Sequence, residues 1–417
     1  MRILKLTPKT EAMLARLREG QDRDAQEIAS AIVSDVRKRG DRALSNWTKK
    51  LDGTDLQKQG MWISKREFAS AKKRVSPQFL GAVAHAAANV RRVAEKQMPQ
   101  EWTLQVEPGV KVAQMVRPIE SIGCYIPGGR FALVSTLIMT VVPAQVAGVK
   151  QITAVCPHPN DELMATADLL GIKRVARIGG AQAIAALAYG TRLVPRVDKI
   201  FGPGNRYVTA AKQLVSSDCA IDLPAGPTEA VVLANGGDPK FIAADLLAQA
   251  EHAPDAGSYL VTVSAEFALR VQGEVLAQLK TLRGNNPAQI SMAKTGAILL
   301  ASTWDAAVDF VNRFAPEHLS LPEANEVTLH RITSSGTVFV GPLSAQPFGD
   351  YASGSNHVLP TGGWARRRGG LSAADFVKCM SAQTIEPAGF ARLADDVQTL
   401  ARAEGLHAHA NAIEVRR

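Results

Sequence analysis

Gln151-Ile152-Thr153-Ala154-Val155-Cys156, Val175-Ala176-Arg177-Ile178 ahead of Gly179-Gly180, and Lys199-Ile200-Phe201 ahead of Gly202-Pro203-Gly204-Asn205 decide the fold class. Short β-branched runs of this kind, alternating with Ala/Leu-rich stretches, predict strands alternating with helices, and hence an α/β protein with mainly parallel sheets. Ala230–Leu233, Tyr259–Val263, Ala297–Leu300 and Thr337–Val340 continue the alternation. Two rounds of it, over 122–232 and 233–345, predict two similar sheets side by side. No short-period repeat suggests a solenoid.

Upstream of Pro108 the pattern changes. Ile28, Ala29, Ile32, Val33 and Val36 recur at three and four residues, and Gly40 stands where a helix stops, so Asp24–Val36 reads as an amphipathic helix. Helical patterning continues through Arg42–Trp47 and Phe68–Gln97. The tail from Ala382 reads as a helix ending at Gly405, followed by an extended piece to Arg417.

Composition excludes several classes. Of 417 residues 46% are hydrophobic and 21% charged, enough apolar side chain for two ordinary cores and incompatible with a mainly disordered chain. The first hundred residues hold 21 of the 48 Lys and Arg but only 11 of the 39 Asp and Glu, so the net charge of +9 resides there. Clusters such as Arg37–Arg39, Lys49–Lys50 and Lys72–Arg74 could meet phosphates. They are interleaved with helical apolar positions and lack an aromatic platform, so solvated helix surfaces are expected and no nucleic acid. Cys124, Cys156, Cys219 and Cys379 lie dozens of residues apart, fitting neither a disulfide scaffold nor a metal knuckle, and a cytoplasmic location is expected. The N-terminus shows no secretory signal. Phe131–Val149 runs nineteen residues without a charge, but Pro143, Gln145 and three hydroxyl side chains interrupt it. A buried helix, with no membrane span, is expected.

Four glycine turns sit where ligands bind in open α/β sheets: Pro127-Gly128-Gly129, Gly179-Gly180, Gly202-Pro203-Gly204-Asn205 and Ala225-Gly226-Pro227-Thr228. Each alone is ordinary turn geometry. Together they suit a nucleotide-sized ligand, although the GxGxxG fingerprint is absent. Among polar clusters, Gln249 and His252 share a helix face, Asp350 and His357 fall in a polar, Gly-punctuated loop, and His407 and His409 end the chain. Gln249, His252, Asp350 and a tail histidine form a reasonable N/O donor set for zinc. The competing reading is a turn-initiating Asp350 and solvated tail histidines. Glu317-His318 places a base beside an acid; in a strand the two would point apart, so a turn must present both, and a structural pair is the alternative.

The strings Gly123-Cys124-Tyr125-Ile126-Pro127-Gly128-Gly129, Gly179–Ile184, Phe201–Asn205, Ile221–Glu229, Gln249–His252, Ala315–Leu319 and Gly349–Pro360, with Asp35–Asp41 and Ala403–His409, resemble the histidinol dehydrogenase family in order and spacing. The resemblance implies a zinc-containing, NAD-dependent enzyme that oxidises an amino alcohol through the aldehyde to the acid. It implies one Zn2+ per subunit on Gln249, His252, Asp350 and His409, with Glu317 and His318 catalytic. Substrate contacts would come from Thr228, Gln249, His252, His318, Asp350, His357 and Glu404 besides His409, and NAD contacts from Tyr125, Gln182 and Asn205. It further implies a homodimer with shared sites, in which residues 1–23 form a helical extension, 24–121 join 233–381 in one Rossmann-like domain, 122–232 form an inserted second one, and 382–417 a dimerisation tail.

This chain departs from the family pattern at Trp364-Ala365-Arg366-Arg367-Arg368-Gly369 and at Ala410. Extra arginines could favour an anionic alcohol, and a related dehydrogenase of a sulfonated diol is the alternative; solvated loop arginines are the plainer account. Thr228, His357 and Glu404 favour histidinol. A non-catalytic binding protein on the same fold is opposed by the intact zinc, base and water-activating positions.

Overall fold

A computed structural model describes residues 1–18, 23–128, 132–224, 226–323 and 326–417. Gly129 and Ala225 of two glycine turns, Phe131 of the uncharged run, and residues 19–22 of the N-terminal extension lie outside the described residues. The strands are β1 (Arg2–Lys5), β2 (Trp102–Glu107), β3 (Val110–Pro118), β4 (Ser121–Tyr125), β5 (Gln151–Val155), β6 (Val175–Ala176), β7 (Lys199–Phe201), β8 (Ala220–Ile221), β9 (Glu229–Leu233), β10 (Gly257–Thr262), β11 (Ala297–Leu300), β12 (His318–Leu321), β13 (Thr337–Val340) and β14 (Val377–Ile385).

Two all-parallel sheets result, β6-β5-β4-β7-β8 and β1-β11-β10-β9-β12-β13. Every residue of β9, β10 and β12 is buried, as parallel strands covered on both faces require. In each sheet the earliest of the five Rossmann-ordered strands, β4 or β9, lies beside the fourth, β7 or β12, and winding reverses there. The expected α/β architecture with two similar sheets is present. The sequence reading did not anticipate a third sheet, antiparallel β14-β3-β2, or the pairing of β1 with β11 at the edge of the larger sheet.

The expected division placed 24–121 with 233–381. The apolar stripes of the N-terminal helices instead pack on the smaller sheet's unit: Ala29, Ile32 and Val36 share a core with Ile184 and Val208, and Phe68, Val83 and Val90 share one with Leu137 and Leu163. Periodicity shows that a face is buried but not against what. The first helix, Pro8–Arg18, lies elsewhere, with Leu14 in the core of the larger sheet. The basic clusters are largely ion-paired, Arg39 with Asp35, Lys49 with Asp55, Lys72 with Asp168 and Arg74 with Asp161. The uncharged run forms the helix Val134–Ala147, buried on most of its circumference. Among the described residues no helix is long and apolar enough to cross a membrane.

The C-terminal segment also differs from expectation. After β14 the helix Pro387–Ala403 ends at Gly405, and His407–Glu414, expected extended, forms a further helix. Gly405 takes φ +73°, which turns the chain back so that Gln398 Nε2 donates to the Ala410 carbonyl at 3.1 Å.

Candidate active site

The helix Pro239–Glu251 starts on an Asp238 cap with Pro239 in its first turn. Because it crosses back over the larger sheet, its C-terminal end delivers Gln249 and His252 to the amino ends of β9 and β12. Thr228, Glu229, Glu317 and His318 stand at those same ends. The residues that could carry chemistry therefore collect at the edge opposite to that where the larger sheet's strands finish. The nucleotide-type turns of the smaller sheet, in contrast, follow the carboxyl ends of β4 and β7. A cavity of about 600 Å³ brings the two together, lined by Gly202–Asn205 on one side and by Thr228, His252, Glu317 and His357 on the other.

Glu317 is buried at a bend immediately before β12 and His318 opens that strand, so the two stand where the chain turns into the sheet. The Thr228 hydroxyl donates to Glu317 Oε2 at 2.5 Å and the Glu229 N–H at 3.0 Å, leaving Oε1 without a hydrogen bond among the described residues. Burial pushes the Glu317 carboxyl up to about 7 despite those two donors. His318 Nδ1 lies 3.2 Å from the Glu229 carbonyl oxygen. A carbonyl can only accept, so Nδ1 carries the hydrogen and Nε2 keeps its lone pair, 3.9 Å from Asp350 Oδ1. Burial holds the His318 imidazole down to about 4, hence neutral at pH 7 and able to take a proton.

Asp350 was expected in a loop and instead sits on the short helix Gln346–Tyr351, where burial raises its carboxyl. The loop that follows returns His357, whose Nδ1 lies 2.9 Å from the Asp350 carbonyl and whose Nε2 lies 3.2 Å from Thr136 Oγ1. Gln249 is fully buried; its Nε2 donates to Thr228 Oγ1 at 2.8 Å and its Oε1 accepts from Gln346 at 2.6 Å. Gln249, His252 and Asp350 are thus tied to the cavity's surroundings: His252 lines it, Gln249 bonds to its Thr228, and Asp350 lies 3.9 Å from His318 Nε2. Glu404 and His409 are not: both are exposed on tail helices that pack against β14 and each other. Among the described residues no group of three or more His, Cys, Asp or Glu could hold a metal, so one chain offers an amide oxygen, one imidazole and one carboxylate.

Two residues here were not singled out by sequence. Glu229, fully buried, is gripped by the Arg18 guanidinium, whose Nε donates at 2.6 Å and which stacks 3.7 Å over the Phe314 ring. Arg18 also donates to the Phe314 carbonyl at 2.6 Å, so it fixes both backbone stretches that lead into the acid–base pair. Glu229 adjoins Thr228 in a motif already noted, but nothing local marks Arg18, 211 residues away.

The histidinol dehydrogenase family model matches residues 15–417. The chain belongs to the histidinol dehydrogenase family. It is 43% identical to the histidinol dehydrogenase of Methanosarcina mazei over 99% of this chain and 97% of that one. It is likewise 43% identical to that of Geobacter sulfurreducens, over 97% and 96%. The crystal structure of histidinol dehydrogenase from Elizabethkingia anophelis superposes with a TM-score of 0.94 at 37% identity, covering 100% of this chain and 98% of that one. Membership makes the chain an NAD-dependent oxidoreductase.

Within the histidinol dehydrogenase fold, Asn205 caps the helix Arg206–Val215 and lines the cavity. Gly202 before it has φ +112°, and a Cβ there would lie 2.1 Å from the Tyr125 carbonyl oxygen, so only glycine lets β7 end against β4. Tyr125 and Gln182 do not reach the cavity surface; both are buried, the tyrosine accepting from the Gly180 N–H at 3.1 Å. The family-atypical arginines also stay out of the cavity lining. Arg368 pairs with Asp375 at 2.9 Å and donates to the Asp222 carbonyl, while Arg367 stacks over Trp364. Arg368→Ala should therefore lower stability by about 1–3 kcal/mol, as loss of charge-assisted hydrogen bonds does. It should leave KM for the alcohol within about two-fold. Thermal unfolding alongside steady-state kinetics checks both, and a large KM change would mean that Arg368 meets substrate.

Proposed function

We propose that this chain oxidises L-histidinol through L-histidinal to L-histidine with two NAD per turnover, the last step of histidine biosynthesis. The observation that carries the reading is the joint placement of a neutral imidazole and a buried carboxyl, each with one unoccupied atom, beside the cavity. His318 Nε2 accepts the hydroxyl proton of the alcohol, oriented by the Nδ1–H bond to the Glu229 carbonyl. Glu317 Oε1 then takes a proton from the water that adds to the aldehyde, while Oε2 stays held by Thr228 and Glu229. NAD would supply the hydride acceptor for the carbinol carbon; of the residues assigned to it, Asn205 lines the cavity, whereas Tyr125 and Gln182 are buried and would shape the site from behind. His357, Thr228 and Glu404 of the partner subunit bind the substrate.

A divalent ion fits the donor set. Gln249, His252 and Asp350 supply oxygen and nitrogen, and the Asp350 carboxylate has no Lys or Arg partner among the described residues. With His409 of the partner subunit the set reaches four, and zinc would supply orientation and polarisation of the substrate's amine and hydroxyl. A homodimer follows from that need. Three of the four cysteines are buried and all four are free, which suits a reducing cytoplasm.

The sulfonated-diol alternative loses its main support because none of the extra arginines is among the residues lining the cavity. NADH formation with histidinol and with a sulfonated diol tests the substrate: two NADH per histidinol and none from the diol is the expected result, and the reverse would overturn it. Chelation should abolish turnover and zinc should restore it; full activity in metal-free protein would contradict the ligand assignment.

A further inference from the structure

In a sheet of this strand order the adenosine ribose of a bound dinucleotide lies beyond the end of the second strand, where an acidic side chain accepts its hydroxyls. In the smaller sheet that strand is β5, and Cys156-Pro157-His158-Pro159 follows it, without a carboxylate. One arrives from elsewhere. Asp52, last residue of the helix Asp41–Asp52, accepts from Gln182 Nε2 at 3.0 Å and lies near the Gly179 N–H, within electrostatic reach of His158. It has no Lys or Arg partner among the described residues and remains partly exposed. The turns after β4, β5 and β6 crowd together there: a Cβ on Gly128 would lie 3.0 Å from the Pro157 ring and one on Gly179 2.7 Å, so the backbone edge is left bare. Gln182 is fully buried behind Asp52, and its Oε1 has no hydrogen-bond partner.

We propose that Asp52 accepts the adenosine ribose hydroxyls of NAD and selects NAD over NADP, with Gln182 as the positioning residue that holds its carboxylate. The inference rests on the reading that NAD binds at this sheet. A carboxylate accepts from a 2′-hydroxyl and repels a 2′-phosphate, so one group gives both affinity and discrimination. Gln182 is fully buried, and its Nε2 holds the Asp52 carboxylate at 3.0 Å.

Steady-state kinetics of Asp52→Asn and Asp52→Ser with NAD and with NADP test this, with Asn205→Ala measured alongside. KM for NAD should rise roughly 10–100-fold, the loss of charge-assisted hydrogen bonds, with kcat at saturating NAD falling by no more than about three-fold. The preference for NAD over NADP should shrink by at least about ten-fold. An unchanged NAD KM and preference in the Asp52 variants, with a raised KM in Asn205→Ala, would overturn the role of Asp52 while leaving the cofactor site standing. No change in any of the three would overturn the cofactor site as well. An equal fall of kcat with both cofactors, without a change in preference, would make Asp52 merely structural and also overturn the proposal.

Discussion

Glu317→Gln should yield a burst of one NADH per active site and then a phase slowed by about 10²–10⁴-fold, the usual contribution of a positioned general base. The amide oxygen of glutamine can still accept from the Thr228 hydroxyl and the Glu229 N–H, so the backbone leading into His318 is kept. What is lost is the basic Oε1, which acts only when water adds to the aldehyde. In the proposed mechanism the first oxidation uses His318, held neutral by burial and oriented by the Glu229 carbonyl, and should continue. His318→Gln should instead remove the burst itself. Rapid-mixing absorbance at saturating histidinol separates the two variants. Equal slowing of both phases in Glu317→Gln would mean that the two residues act as one unit and that the division of labour is mistaken.

The parallel strands were legible because their whole length is buried and reads as β-branched runs; β7, β11 and β13 start and stop where sequence places them. The antiparallel sheet was not, although Trp102, Leu104 and Val106 alternate with polar residues at the period of a strand. Those apolar residues are exposed in one chain, so the pattern has no core to point to. The site was legible as motifs and not as geometry. Glu317 and His318 can be picked out as an acid and a base, but that Glu317 lines the cavity while His318 is the first residue of a buried strand depends on where β12 begins. The grip of Arg18 on Glu229 joins residues far apart in the chain, and no local pattern encodes it. The arginines of 366–368 mislead for a related reason: composition shows charge near the polar loop, whereas Asp375 and the Asp222 carbonyl hold Arg368, and Arg367 stacks on Trp364.

Mixing His318→Ala with His409→Ala protomers should restore activity that neither variant has alone, to about a quarter of the wild-type level after random reassortment, because only one site in four then combines both intact residues. His409 stands exposed on a tail helix, while His252 lines the cavity, Gln249 bonds to the cavity-lining Thr228, and Asp350 lies 3.9 Å from His318 Nε2. A second copy can bring the two together, and the surface for it is present. Strands β2 and β14 are exposed along nearly their whole length, with Trp102, Leu104, Val106, Met380 and Ile385 uncovered, and the tail adds Leu400, Leu406 and Val415. Apolar area of that extent on a sheet and an adjoining helix pair marks an interaction site. If the tail of one chain reaches across this sheet to the cavity of the other, metal content should follow from the same ligand set: His409→Ala homodimers should lose bound zinc, His318→Ala homodimers should keep it, and heterodimers should hold one zinc per dimer. Active heterodimers with two zinc ions, or His409→Ala homodimers that keep theirs, would separate the tail from the metal. Failure to restore activity, with heterodimers shown by native mass spectrometry, would place each complete site within one chain.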